Sequence, residues 1–105
     1  MKNCLIVFTT VPRPSVGRKI AGVLLKSRLV ACVHLVPQGE SIYWWKGKLE
    51  RAREGMVVIK TSKKSLPKLM QILKKNHPYE VPEILAVRVD QGFRPYIDWI
   101  FKETN

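Results

Sequence analysis

The chain has 105 residues, which is enough for one domain with a hydrophobic core and too few for two, so we expect a single domain over residues 1–105. Hydrophobic residues make up 46% and charged residues 26%, a balance that argues against disorder. Lysine and arginine total 19 against 8 acidic residues, and the resulting charge of +11 attracts polyanions without identifying one. The alternative is that these cations only solvate the surface.

Two cysteines, Cys4 and Cys32, are too few for a disulfide framework and lack the spacing of a Cys metal motif, so they indicate a reducing compartment. The apolar run at 4–8 is too short for a signal peptide, and no apolar stretch reaches the roughly 18 residues of a membrane span. We therefore expect a cytoplasmic protein with no membrane partner.

In the first half of the chain, segments with the two-residue periodicity of a strand alternate with a segment that has the 3.6-residue periodicity of a helix. Residues 4–10 form a β-branched and aromatic run, which predicts a strand. From 14 or 15 to about 28 the apolar residues recur at helical spacing, and residues 30–36 return to the alternation of a strand. Residues 41–45 and 56–61 are β-rich, and we predict a long, interrupted hairpin from them.

A second helix is predicted from a serine cap at Ser62 or Ser65 to Asn76, where a left-handed residue can end the helix before Pro78. Its inward face is predicted to hold Leu66, Leu69, Met70 and Leu73. Residues 84–89 then predict the last strand, and residues 95–102 a short third helix.

This order of elements predicts an α+β fold of the ferredoxin-like, split βαβ kind, with helices on one face of an antiparallel sheet. The first and second strands of such a sheet are not neighbours. Cys4 and Cys32 are therefore expected to be separate, buried thiols.

Trp44 and Trp45 are consecutive in a predicted strand, so their side chains point to opposite faces of the sheet. One ring is expected in the core, and the other, beside Tyr43, on a surface that the helices do not cover. Burying an indole is worth about 4–6 kcal/mol, so self-association is the simplest way to use the exposed ring. The alternative is that the hairpin curls over and buries both rings within one subunit.

Several stretches together resemble the CutA divalent-cation tolerance family: ACV at 31–33, YWWKGK at 43–48, KT at 60–61, HPYEVPE at 77–83 and YIDW at 96–99. The resemblance covers about residues 4–101. It implies a PII-like homotrimer in which hairpin strands pair between subunits, with Trp44, Trp45 and Trp99 at the trimer interface. It also implies a role in tolerance of copper and other divalent cations, with copper bound by some members.

His77 is the candidate metal ligand, because neutral imidazole binds copper and zinc and Glu80 or Glu83 would orient it or add an oxygen. Further ligands would come from other subunits or from His34. The alternative is that His77 only decorates the end of a helix.

Three positions depart from the family pattern in ways that bear on metal binding. Thr9 stands where some relatives carry a thiol, and Arg51 and Arg53 replace an acidic stretch. Each change removes a soft ligand or negative charge.

The same region predicts a cleft between subunits for a small anion, because it mixes polar and aromatic groups. Its candidate residues are Tyr43, Trp45, Lys60, Tyr79, Glu80 and Glu83. The sequence has no glycine-rich phosphate loop and no nucleophile with an evident base, so no catalytic residue is predicted.

We therefore expect a non-catalytic, homotrimeric binding or signalling protein with no obligatory cofactor and with Cu2+ or another divalent cation as a candidate ligand. The alternative is a basic nucleic-acid-binding α+β domain. Nucleic acid is not the expected partner, because the predicted strands lack the spaced aromatics on which bases stack.

Overall fold

The computed structural model describes residues 3–104. Its elements are β1 (Cys4–Val11), α1 (Pro14–Lys26), β2 (Cys32–Trp45), β3 (Lys48–Ser62), a 3-10 turn (Lys63–Ser65), α2 (Leu66–Asn76), β4 (Leu85–Arg88) and α3 (Arg94–Glu103). The four strands form one antiparallel sheet in the order β2-β3-β1-β4. The predicted α+β class and the separation of the first two strands are confirmed.

The core lies between the sheet and the helices α1 and α2. Its buried members are Val7, Val11, Ile20, Leu24, Leu29, Val30, Val57, Ile59, Leu69 and Leu73. The prediction that Met70 faces inward is wrong, since its side chain is 38% exposed. The buried stripe of α2 is centred on Leu69 and Leu73, and the flank that carries Ile72, not the Met70 flank, packs against the core.

The opposite face of the sheet is apolar and largely open. It carries the residues that alternate with the core positions: Ile6 and Phe8 of β1, Met56 and Val58 of β3, and Leu85 and Val87 of β4. The helix α3 covers one end of this face, where Ile97 and Ile100 pack with Cys4. Leu85 and Val87 remain 59% and 51% exposed.

The hairpin is continuous, and the predicted interruption is wrong. Residues 50–54 are strand, because each pairs with a residue of β2. Four of these five residues are charged, so the apolar alternation that marks a half-buried strand is missing from the sequence, although Glu50, Ala52 and Glu54 are half-buried and alternate with the exposed Arg51 and Arg53. A register shift between Val36 and Gly39 bends β2, and Lys46 and Gly47 close the tip with φ of 50° and 78°.

The predicted caps of α2 are also wrong in detail. Neither Ser62 nor Ser65 makes a side-chain cap hydrogen bond, and the Ser62 hydroxyl donates to the Ser65 hydroxyl instead. Asn76 ends the helix without a left-handed backbone, and its side-chain amide donates to the Ile72 carbonyl at 2.8 Å. The next residue, His77, is extended because Pro78 follows it.

The two cysteines differ in environment. Cys4 is fully buried beneath α3, as predicted. Cys32 is only half-buried, because β2 is the edge strand of the sheet, and the prediction of a buried thiol is wrong for it. Both thiols are free.

Candidate binding site around His77

The turn after α2 carries His77 to the end of β1, where its ring is almost fully buried. The ring nitrogen Nε2 lies 2.8 Å from the Thr10 carbonyl oxygen, and the Tyr79 backbone N–H donates to Nδ1 at 3.1 Å. A carbonyl oxygen can only accept, so Nε2 carries the proton and Nδ1 the lone pair. These two bonds fix the ring as one neutral tautomer.

Both ring nitrogens of His77 are therefore used within the fold. A metal ion needs the lone pair of a neutral imidazole, and here the Tyr79 N–H occupies it. Among residues 3–104, no group of three or more His, Cys, Asp and Glu side chains is placed to hold a metal ion. Metal binding by His77 stays a prediction, and it requires that the bond from Tyr79 be broken.

Tyr79 links the same turn to the hairpin. Its hydroxyl donates to Glu54 Oε2 at 2.6 Å, and its ring centroid lies 4.8 Å from that of His77. Burial first, and then the hydrogen bond to the Glu54 carboxylate, raise the pKa of the Tyr79 phenol. The phenol is therefore held in its protonated, donating form.

We refer to His77, Tyr79, Glu54 and the Thr10 carbonyl as the turn network. It ties the 77–83 turn to the end of β1 and to the base of the hairpin. Glu54 was missed in the sequence, because nothing local links a carboxylate in a polar hairpin segment to a tyrosine 25 positions later.

The remaining predicted site residues do not form one cleft within a single chain. Lys60 pairs with Ile6 and lies six residues from Glu54 along β3, which corresponds to about 20 Å. Trp45 pairs with Lys48 beside the hairpin tip. The predicted cleft therefore needs residues from more than one copy of the chain.

The other members of the predicted cleft lie nearer the turn network. Tyr43 is on β2 opposite Glu50 and close enough to influence the Tyr79 phenol. Glu83 is exposed, and Glu80 accepts a hydrogen bond from Lys74 Nζ through its backbone carbonyl oxygen. None of the hydrogen bonds described for residues 3–104 uses the carboxylate of Glu80 or Glu83.

The paired tryptophans both face solvent in the single chain. Trp44 is 73% exposed and Trp45 50%, so the expectation that one enters the core is wrong. Ile42 and Leu49 beside them are also exposed, so no helix covers the hairpin tip. The alternative that the hairpin buries both rings within one subunit is excluded. Trp99 is also exposed, and its ring lies 5.5 Å from that of Tyr96.

The positions that depart from the family pattern have different surroundings. Thr9 is fully buried on the helix-covered face, and its hydroxyl has no hydrogen-bond partner within the described residues. Arg51 and Arg53 are exposed on β3, opposite Ile42 and Glu40. The arginines therefore add positive charge to the hairpin without entering the turn network.

The fold and the site define a small α+β protein with a long antiparallel hairpin, an open apolar sheet face and a histidine that is hydrogen-bonded at both ring nitrogens. Residues 5–103 match the family model described as CutA1 divalent ion tolerance protein, and the chain belongs to that family. In residues 3–104, no helix has both the length and the apolar character needed to cross a membrane.

Individual relatives agree with this assignment. The divalent-cation tolerance protein CutA of Thermus thermophilus is 42% identical over 100 residues, which cover 95% of this chain and 97% of that protein. Its solved structure superposes with a TM-score of 0.94 at 41% identity, covering 97% of this chain and 99% of that one. The crystal structure of CutA1 from Oryza sativa also gives 0.94, at 37% identity over 98% and 94% of the two chains.

Other curated relatives are longer. The chain spans 57% of the chloroplastic CutA 1 of rice, at 38% identity, and 55% of mouse CutA, at 43% identity. It covers 96% and 93% of its own length in these two matches. The shared part is therefore almost the whole of this chain and about half of those proteins.

Proposed function

We propose that the chain works as a homotrimeric, non-catalytic binding protein in divalent-cation tolerance. The observation that carries the proposal is the open apolar face of the sheet, together with the exposed Trp44 and Trp45. An uncovered apolar surface of this extent is typical of a protein–protein interface, and a second copy of the chain is the simplest partner. The names of the relatives, divalent-cation tolerance proteins, support the cation-tolerance role.

Trimer formation would also bring the dispersed cleft residues together. Lys60 and Trp45 of one copy would face Tyr43 and the 77–83 turn of another, and a small anion or a metal ion would bind between them. Binding rather than catalysis is supported by the turn network, in which His77 and Tyr79 serve the fold as hydrogen-bond donors and acceptors. The compartment proposed for this chain is the cytoplasm.

The oligomer is tested by substituting one leucine on the open face and one on the helical face. Leu85→Glu places a charge on β4, whereas Leu25→Glu places it on α1, where the leucine is 42% exposed. In an isolated subunit both substitutions would lower the free energy of unfolding only slightly, since both side chains face water. We expect light scattering to give a trimer for the wild type and for Leu25→Glu, and smaller species for Leu85→Glu. A wild-type monomer at micromolar concentration contradicts the proposal.

The metal prediction is tested by calorimetric titration of Cu2+ and Zn2+ into the wild type and His77→Ala. If His77 is a ligand, His77→Ala binds the metal ion more weakly than the wild type. The unfolding midpoint of the variant separately measures the stability lost with the turn network. Equal affinities in the two proteins remove His77 from the metal site.

A further inference from the structure

The positive and negative charges of the chain are segregated along the sequence. All eight acidic residues lie at 40–54 or at 80–103, in the hairpin or after the second helix. The helices α1 and α2, by contrast, contain lysine and arginine but no acidic residue. Much of the positive charge is therefore carried by one pair of helices that has no negative charge of its own.

The cations of both helices face solvent on the same side of the molecule. Ile20 and Leu24 of α1 and Leu69 and Leu73 of α2 are buried in one core, so the two helices turn their opposite sides outward. We call the exposed cations of these helices the basic helical face: Arg18, Lys19, Lys26, Lys68, Lys74 and Lys75.

No carboxylate neutralises the basic helical face. The ion pair described for residues 3–104 joins Arg28 to Glu103, and none of the six cations takes part in one. Lys74 donates to the backbone carbonyl oxygen of Glu80, which leaves its positive charge in place. Six like charges on one surface repel one another, and an anionic partner would relieve this repulsion.

The helix α3 shows how a solvated surface of the same chain differs from this face. Its sequence carries two cations and two carboxylates: Arg94, Asp98, Lys102 and Glu103. Interspersed charges of both signs are typical of a surface that only needs to be soluble. The absence of acidic residues from α1 and α2 therefore favours a binding role over solvation alone.

The basic helical face lies away from the surface assigned to the trimer. The helices α1 and α2 cover one face of the sheet, whereas the open apolar face, with Leu85 and Val87, is on the other. The face would be accessible both in a single chain and in a trimer. The inference goes beyond the proposed function and does not depend on it.

The chemistry of the face selects its partner. The helices α1 and α2 contain no Phe, Tyr or Trp, so they offer no platform on which unpaired bases could stack. Their apolar stripes are buried in the core, whereas a helix that binds a lipid surface needs such a stripe on its outer side. A nucleic-acid duplex stacks its bases internally and presents phosphates. The expectation against nucleic acid concerned bases stacked on the strands, which a duplex does not require.

The charge density of a duplex matches the size of the face. The 13 residues of α1 extend over about 20 Å at 1.5 Å per residue. A duplex carries about one phosphate charge per 1.7 Å of its axis, so about 12 charges lie along this length and about half of them on the near side. We propose that the basic helical face binds the phosphate backbone of double-stranded nucleic acid without reading its sequence.

The test is a fluorescence-anisotropy titration of the intact protein into labelled duplex DNA of about 20 base pairs, at about 50 to 200 mM salt. For six phosphate contacts, we expect the logarithm of the binding constant to fall with the logarithm of the salt concentration with a slope of about −5. A second duplex of unrelated sequence is expected to bind with the same affinity within about twofold.

The double variant Lys68→Gln with Lys75→Gln removes two of these contacts. We expect its salt slope to be shallower by about 2 and its affinity at the lowest salt to fall about tenfold or more. The matched control, Arg94→Gln with Lys102→Gln, removes the same charge from α3 and is expected to keep the wild-type slope. Glutamine forms helices about as well as lysine, and the unfolding midpoint checks that both variants fold.

Several results would overturn the proposal. A wild type that does not bind the duplex at the lowest salt would show that the cations only solvate the surface. Equal losses in the two double variants would assign the binding to net charge, and tighter binding of a single strand would assign it to the bases. Displacement of the duplex by polyglutamate or by phosphatidylserine vesicles at a lower total charge would assign the face to an acidic protein or to a membrane.

Discussion

Tyr79→Phe removes one hydroxyl from the turn network and leaves the ring in place. The hydroxyl donates to the Glu54 carboxylate at 2.6 Å, so the variant loses a charge-assisted hydrogen bond and leaves the carboxylate without that donor. Bonds to charged groups contribute about 1.5–3 kcal/mol, and this one is only part-buried, so we expect a loss of about 1–2 kcal/mol at pH 7.

The same bond predicts a pH dependence with a definite sign. The pKa of the folded phenol is raised above that of the unfolded chain, which is about 10. Its stabilising contribution is therefore fully present below pH 10 and is lost as the pH rises toward the folded value. As the pH rises from 10 to 11 the unfolded phenol releases its proton before the folded one does, which costs the wild type up to about 1.4 kcal/mol.

The assay is urea unfolding of the wild type and Tyr79→Phe at one protein concentration, from pH 7 to pH 11. We expect the difference in unfolding free energy between the wild type and Tyr79→Phe to shrink by about 1.4 kcal/mol above pH 10, because only the wild type carries this phenol. Tyr96→Phe is the control, since the Tyr96 hydroxyl makes no hydrogen bond within residues 3–104. Parallel curves for the wild type and Tyr79→Phe over the whole range would refute the reasoning.

Three further predictions concern buried threonines and one glycine. Thr61→Val should cost about 1–3 kcal/mol, because the Thr61 hydroxyl donates to the Leu29 carbonyl at 2.6 Å and the variant leaves that acceptor buried and unpaired. Thr9→Val should be neutral or stabilising in the same unfolding assay, because the Thr9 hydroxyl is already buried without a partner, and a large loss would show that it has one. Gly39→Ala should destabilise the hairpin, because a Cβ there would lie 2.8 Å from the Glu54 carbonyl oxygen; unchanged stability would show that the bulge adapts.

The periodicity of hydrophobic residues along the chain was sufficient to predict the type and order of most helices and strands. The apolar residues of α1 recur at 3.6-residue spacing, and those of β1 lie in a short β-branched run, so their type and order followed from the sequence. The motif at 77–83 and the paired tryptophans were also specific enough to indicate the family before any coordinates were considered. The hairpin strands were harder, since four of the five residues at 50–54 are charged and their sequence carries no apolar alternation.

The candidate site depended on contacts that no local pattern encodes. His77 was identified as the important histidine, but its bond to the Thr10 carbonyl joins positions 67 apart, and the tautomer follows from that bond together with the one from the Tyr79 N–H. The partner of Tyr79 is Glu54, which lies 25 positions earlier in the hairpin, and no local pattern links the two. The exposure of Trp44 was likewise settled by the tertiary structure, in which no other element covers the hairpin tip.

The sequence by itself determined the kinds of element, their order and the family. The tertiary structure decided which nitrogen of His77 holds the proton and which carboxylate receives the Tyr79 hydroxyl. The physical reason is that periodicity records whether a side chain faces the core or water, whereas hydrogen-bond partners are chosen by the approach of segments distant along the chain.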